Sequence, residues 1–227
     1  MKRSNVTIIS VNVGMPASLN HGEKVVQSGI RKQPVPGSIA ITAGGLPGDG
    51  QADLINHGGP DKAVCVYGYD HYPYWEERLG LSLEVGSFGE NFSLSGWDEM
   101  DWCIGDQVRI GTALLQVSQP RQPCFKLGAR HGVPELGEWV AETGYTGFYL
   151  RVLNDGVVQA GDEAVIVDRH AASITIAEAN RVMHHDKSDT DGIRKLLAVE
   201  ELAGSWQKTL QARLARLTGA SVTEKEH

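Results

Sequence analysis

SQPRQPCFKL, residues Ser118 to Leu127, is the stretch from which the rest of the chain is best read. It follows an apolar strand, Ala113 to Val117, and breaks at Pro120 and again at Pro123. Directly after the second break stands a thiol, Cys124, between Arg121 and Lys126. Proline fixes φ and disfavours helix in the residue before it, so this thiol is expected on a stiff, extended rim. Two neighbouring cations favour the thiolate, the form that attacks electrophiles and binds metals. A buried, inert cysteine after a strand is the competing reading. The stretch by itself leaves both open.

Working outward, Val108 to Ile110 and Ala113 to Val117 form a hairpin across Gly111-Thr112. Val6 to Val13 is an opening strand, rich in β-branched residues and stopped by Gly14 and Pro16. Ser38 to Thr42 and Ala63 to Tyr67 are further strands, as is Gly147 to Leu153. Asn154-Asp155-Gly156 reads as a hairpin turn, and a last strand covers Ala164 to Val167. Two short helices interrupt them. One runs from a cap at Asp70 to Leu79, with His71 in its first turn, and the other covers Leu136 to Thr143. Many short strands separated by Gly/Asp turns predict a mainly β body, a barrel or sandwich with a few short helices.

At about Arg169 the pattern changes from period two to helical spacing. Ser173 can cap a helix through Met183, ending at His184-His185, where the helix dipole favours a histidine. Ile193, Leu196, Leu197 and Leu202 mark a second helix. Trp206, Leu210, Leu214 and Leu217 mark a third, ended by Gly219. The division is therefore a β body over residues 1–169 and a three-helix extension over 170–227.

Charge narrows the function classes. Residues 1–169 hold 13 Lys and Arg against 20 Asp and Glu, and residues 170–227 hold 8 against 8. Neither part carries the basic excess of a nucleic-acid binder, so any anion site is a local pocket. The cysteines, Cys65, Cys103 and Cys124, are widely spaced and lack zinc spacing, which argues for a reducing compartment. Lys2 and Arg3 precede only a short, interrupted apolar run, neither signal peptide nor membrane span. The expected location is the cytoplasm.

The polar groups concentrate before one strand. Asp49, Gln51, Asp53, His57, Asp61 and Lys62 crowd into a Gly-rich loop ahead of Ala63, a composition typical of functional loops. GSFGENFSLSG, Gly86 to Gly96, sets glycines around Glu90 and Asn91 before another strand.

QVSQPRQPCFKL, together with GDGQADLINHGGPDKAV, GSFGENF and TGYTGFYLRVLNDGVVQAGD, resembles the MOSC domain, named after the C-terminal domain of molybdenum cofactor sulfurases. ITIAEANRVMHHD and the residues after it are similar to the three-helix extension of the YiiM-type subfamily. The resemblance implies a MOSC-type β-barrel that binds the molybdenum cofactor, Mo-molybdopterin, with Cys124 as the metal ligand. It further implies reduction of N-hydroxylated bases such as 6-hydroxylaminopurine, with electrons from a separate flavin reductase. A pterin phosphate needs cations, and Lys24, Arg31, Lys32, Lys62, Arg121, Lys126 and Arg151 are the supply. Arg121 ranks first, because its planar fork suits phosphate and it lies close to the ligand. Breaking an N–O bond also needs an acid; His57 and Asp53 are candidates, with Asn91 as a donor orienting the substrate.

Three cysteines are too few for a [2Fe–2S] centre with four protein ligands, so a partner must deliver the electrons. A non-catalytic carrier of molybdenum cofactor or persulfide on Cys124 is the alternative, and a cysteine hydrolase a weaker one. An oligomer, and docking of the reductase on the extension, are further expectations.

Overall fold

The computed structural model describes residues 5–54 and 58–219. Its strands are β1 (Thr7–Val13), β2 (Ala17–His21), β3 (Lys24–Ser28), β4 (Gln33–Pro34), β5 (Ile39–Ile41), β6 (Val64–Gly68), β7 (Phe92–Ser95), β8 (Gln107–Ile110), β9 (Ala113–Pro120), β10 (Phe148–Asn154), β11 (Gly156–Val158) and β12 (Ala164–Asp168). Eight of them make one sheet in the order β12-β8-β9-β10-β6-β7-β1-β4, antiparallel except for β6 and β7. The sheet curls into a half-barrel. Its β12 end returns to β1, where the Ala164 amide donates to the Val6 carbonyl and Ile8 to Asp162, both at 2.9 Å.

β6 lies in the middle and is buried at every residue, as expected of a strand covered on both faces. On the concave side Trp97, Trp102 and Phe148 pack edge and face, with both tryptophans 5.0 Å from the Phe148 ring. On the other side Tyr67 stacks on Phe88 at 4.1 Å and accepts a hydrogen bond from Trp75 Nε1 at 2.6 Å. This second cluster holds the helices α1 (Tyr72–Leu79), α2 (Phe125–His131) and α3 (Leu136–Thr143) against the sheet through Trp75, Leu127, Leu136 and Val140.

The extension comprises α4 (Ile176–Asn180), whose end widens into a π turn over Arg181–His185, then α5 (Thr190–Leu197) and α6 (Gly204–Thr218). It shares the barrel's core: Ile176, Val182, Ile193, Leu196, Trp206 and Leu210 belong to the same buried cluster as Val117 and Phe148. Polar links reinforce the join. Arg151 on β10 pairs with Asp61, donates to Gln116 Oε1 at 3.0 Å and reaches the Glu201 carbonyl at 2.7 Å. Asp61 in turn accepts from the Gly204 amide at 3.2 Å.

Several local expectations are corrected. Asn154 to Gly156 is not a hairpin turn: β11 leaves β10 and pairs with β5, and the Asp155 carboxylate accepts from the Ala43 amide at 3.3 Å. Asp70 does not cap α1; its carboxylate binds Ser95 Oγ at 2.8 Å and the Gly96 amide at 2.6 Å. His71 precedes α1 and is buried, stacked on Tyr145 at 3.9 Å and 3.0 Å from Glu99 Oε2. Thr175 caps α4 in place of Ser173, accepting from the Glu178 amide at 3.0 Å. The hairpin of β2 and β3, turned at Gly22 with φ 58°, and α2 are additions that the sequence reading did not contain.

His184 is not a charged residue at a helix end. Burial, with smaller contributions from His185, Lys187 and Arg213, lowers its pKa to about 4, and its Nε2 has no hydrogen-bond partner. The unfolded chain therefore binds a proton more readily between pH 6.5 and 4, and stability falls as pH drops through that window. His184→Gln is expected to flatten the acid limb of a stability–pH profile measured by denaturant titration. Trp206→Ala should lower stability by about 3–5 kcal/mol. Because the core is shared, barrel and extension should melt in one transition; separate transitions in the wild type would contradict a shared core.

Candidate active site

Cys124 stands where the extended chain after β9 turns into α2, with φ −130° and ψ 164°. The rim geometry expected from the two prolines is therefore present. Its position is set by α2, which is tied down on both sides. Leu127 is fully buried, and Arg130 donates to the Ile30 carbonyl and, at 2.7 Å, to Gly86. His131 bonds the Ser87 carbonyl at 2.8 Å. Cys124 itself is only partly buried, whereas Cys65 and Cys103 are buried.

The thiol divides a cleft of two lobes. The inner lobe is walled by Lys32, Cys65, Asn91, Arg121 and the backbone of Gly29, Gly50 and Gly89, and measures about 610 Å³ out to open solvent. No side chain could occupy the Gly29 position, because a Cβ there would meet the Gly50 carbonyl oxygen at 2.1 Å. The outer lobe is walled by Asp53, Gln119, Phe125 and the α6 residues Ser205, Lys208 and Thr209. Lys62, Gln122, Cys124, Lys126 and Tyr149 border both lobes.

Arg121 is the defining group of the inner lobe. Its side chain is buried, yet Nη1 has no hydrogen-bond partner. Burial works against its charge; Cys65, Tyr149, Cys124 and Tyr67, only when ionised, act the other way and place its pKa above the ordinary arginine value. Those neighbours are thiols and phenols, not carboxylates. Burial pushes the Cys65 thiol up, with Arg121 opposing, and likewise raises Tyr149. At neutral pH both keep their protons. Cys65 is thus a buried neighbour, and Cys124 is the thiol open to the cleft.

Lys32 arrives with its own counter-ion, the Asp49 carboxylate, which also accepts from the Gly14 amide at 2.9 Å and from Asn91 Nδ2 at 3.0 Å. Asn91 is committed on every side: its Oδ1 accepts from the Cys65 amide at 3.0 Å and its Nδ2 donates to the Asn12 carbonyl at 3.1 Å. It knits β1, β6 and the Asp49 loop, so it shapes the inner wall. Lys62 sits on the turn after the polar loop, and burial lowers its pKa against the opposing pull of Asp61 and Asp53. Asp53 faces the outer lobe, while His57 lies outside the described residues.

Three of the expected cations do not line either lobe. Lys24 is exposed on the hairpin strand β3 and Arg31 is exposed beyond it. Arg151 is consumed by Asp61 and the extension. The α6 residues were missed as site residues. Their signal is the polar stripe Ser205, Lys208 and Thr209 beside the buried Trp206 and Leu210.

With this geometry in place the relatives can be compared. Residues 53–165 match the MOSC domain, a family associated with molybdenum-cofactor binding, and residues 174–217 match the YiiM-like 3-alpha helix domain. The chain is 43% identical to the Bacillus subtilis protein YflK over 217 residues, 96% of this chain and 98% of that one. It resembles the crystal structure of YiiM from Geobacillus stearothermophilus with TM-score 0.79 and 39% identity, covering 92% of this chain and 100% of that chain. A Gibberella moniliformis protein named Reductase is 35% identical over 162 residues, 70% of this chain but 29% of the fungal protein. The matches run through the β body, the cleft and the helical extension alike, and the chain belongs to the MOSC domain family, with a YiiM-like three-helix domain at its C-terminal side.

Proposed function

We propose that this protein is a molybdenum-cofactor-dependent reductase of small N-hydroxylated compounds, such as 6-hydroxylaminopurine, with Cys124 as the protein ligand of molybdenum. The observation that carries the reading is the buried, partnerless Nη1 of Arg121 in the same lobe as a partly open thiol. A buried guanidinium without an acceptor is costly, and an anion bound beside it removes that cost. A pterin phosphate has the charge and the paired acceptor oxygens for the task, and a thiolate suits a soft, sulfur-rich metal centre. The residues present therefore fit the cofactor. Arg121 and Lys126 would meet the phosphate, with the Lys32–Asp49 pair and Asn91 holding the floor. The reductase-named fungal relative points to the same reaction class.

Reduction of a hydroxylamine consumes two electrons and two protons: R–NH–OH becomes R–NH2, the N–O bond breaks, and the oxygen leaves as water. The bound molybdenum cofactor supplies the two-electron redox chemistry. The chain's own groups supply position and protons. Lys62, whose lowered pKa makes it a better acid than an ordinary lysine, and Asp53 both border the outer lobe where the leaving oxygen would be. Tyr149, kept neutral by burial, offers a further donor beside Cys124. The electrons come from a separate flavin reductase in this reading. A simple cofactor carrier has no need of a second open lobe next to the ligand, and the outer lobe favours the reductase.

Molybdenum content decides the ligand assignment. Protein produced in a host that makes the cofactor should carry near-stoichiometric metal, and Cys124→Ser should carry almost none. Hydroxylaminopurine should then be reduced by the wild type with an added flavin reductase; cofactor transfer to an acceptor without turnover would select the carrier instead. Arg121→Met separates binding from folding: it should lose cofactor while the metal-free protein melts at the same temperature or higher, because an uncompensated buried charge is gone. A large loss of stability with cofactor retained would contradict the anion-site role.

A further inference from the structure

The cofactor's own phosphate accounts for Arg121 and Lys126, but not for Lys208 of the outer lobe. Among the described residues the two lobes are lined by Lys32, Lys62, Arg121, Lys126 and Lys208 against one carboxylate, Asp53. In a protein of net charge −7 this is a marked local reversal. Lys32 is neutralised by Asp49 at the inner wall. Lys208 comes from the other side of the cleft, on α6, in the stripe that also exposes Ser205 and Thr209. That face is held at a fixed distance from the barrel: Trp206 and Leu210 are fully buried in the shared core, and Ser205 Oγ donates to Gln119 Oε1 at 2.9 Å. On the same lobe Phe125 leaves about half its side chain exposed (48%) and meets the His21 ring at 4.7 Å.

An exposed lysine on α6 and an open aromatic ring at the start of α2 suit one ligand chemistry, a flat heteroaromatic ring carrying a phosphate. We infer that the outer lobe binds the substrate as a nucleoside monophosphate, an N-hydroxylated nucleotide rather than the free base. Lys208 meets the phosphate and Phe125 stacks on the base. The inference rests on the reductase reading for the reaction and adds the substrate class. It also gives the extension a role: α6 completes the substrate lobe and selects for the charged form of the substrate. Lys208 contributes by direct contact with the phosphate, and the solvent-facing position of the lobe leaves that contact open to salt screening.

Calorimetry on the cofactor-loaded full chain tests this without turnover, using adenosine 5′-monophosphate and adenosine as product-side probes. The wild type should bind the monophosphate about tenfold more tightly, the scale of one charge-assisted contact. K208E should bring the two ligands level, and K208R should restore the preference. Equal binding of the two ligands by the wild type overturns the inference, as does a preference that survives K208E. Loss of molybdenum from K208E also overturns it, because the outer cation would then belong to the cofactor's phosphate. Steady-state reduction separates the reaction from the substrate class. Turnover of hydroxylaminopurine with a KM no higher than that of its nucleotide leaves the reductase reading intact and removes the inference. A nucleotide preference in binding with no reduction of either compound removes the reductase reading and leaves the lobe's specificity standing.

Discussion

A guanidinium buried beside two thiols and two phenols, with one nitrogen that finds no acceptor, is the constraint that orders this molecule. Folding tolerates such a group only where the surroundings are stiff and an external anion can complete it. The stiffness is visible in the elements that converge on Arg121. β9 ends at Pro120, the Arg121 amide is held by the Gly147 carbonyl at 3.0 Å, and the next residues are pinned by Pro123 and the start of α2. The consequence is that Cys124 leaves the sheet in an extended conformation and faces the cleft. Had the chain entered a helix one residue earlier, the thiol would have been wound into the helix.

The second organising feature is the continuity between the barrel and the helical extension. Ile176, Trp206 and Leu210 are buried with Val117 and Phe148, so neither part completes its hydrophobic face alone. Asp61 shows how this packing reaches the site. It binds Arg151 and the Gly204 amide, and its carbonyl accepts from Ser118 Oγ. The turn that carries Asp61 also carries Lys62 into the cleft. The extension is therefore tied through one carboxylate to the turn that bears a lining lysine, and α6 is better described as a wall of the cleft than as an appendage.

Much of this was legible in the residues. The break-and-thiol pattern at Pro120, Pro123 and Cys124 located the cleft, because proline acts through backbone sterics that tertiary contacts do not override. The β8–β9 hairpin across Gly111-Thr112 and the stop of α6 at Gly219 followed for the same local reason. What failed was long-range. Gly156 was read as the end of a turn, but β11 found β5 more than a hundred residues back. Asp70 looked like a cap and instead served the Ser95-Gly96 bend, a partner that local sequence does not reveal. Of the cations proposed for the phosphate, Arg151 went to an ion pair within the barrel and a hydrogen bond to the extension, and Lys24 and Arg31 to open surface. Lys208 was overlooked because a polar stripe on a helix is ordinarily a solvated face; only the packing of the extension against the barrel turns that stripe inward to a cleft.

In the proposed reading Cys124 and Arg121 would hold one molybdenum cofactor together, the thiol at the metal and the guanidinium at the phosphate. A crystal structure of the loaded protein, with anomalous scattering collected at the molybdenum edge, tests it most directly. One metal peak at bonding distance from Cys124 Sγ is expected, with a phosphate accepting from the Arg121 guanidinium. A peak away from Cys124, or an Arg121 that faces no anion in the loaded protein, would contradict it.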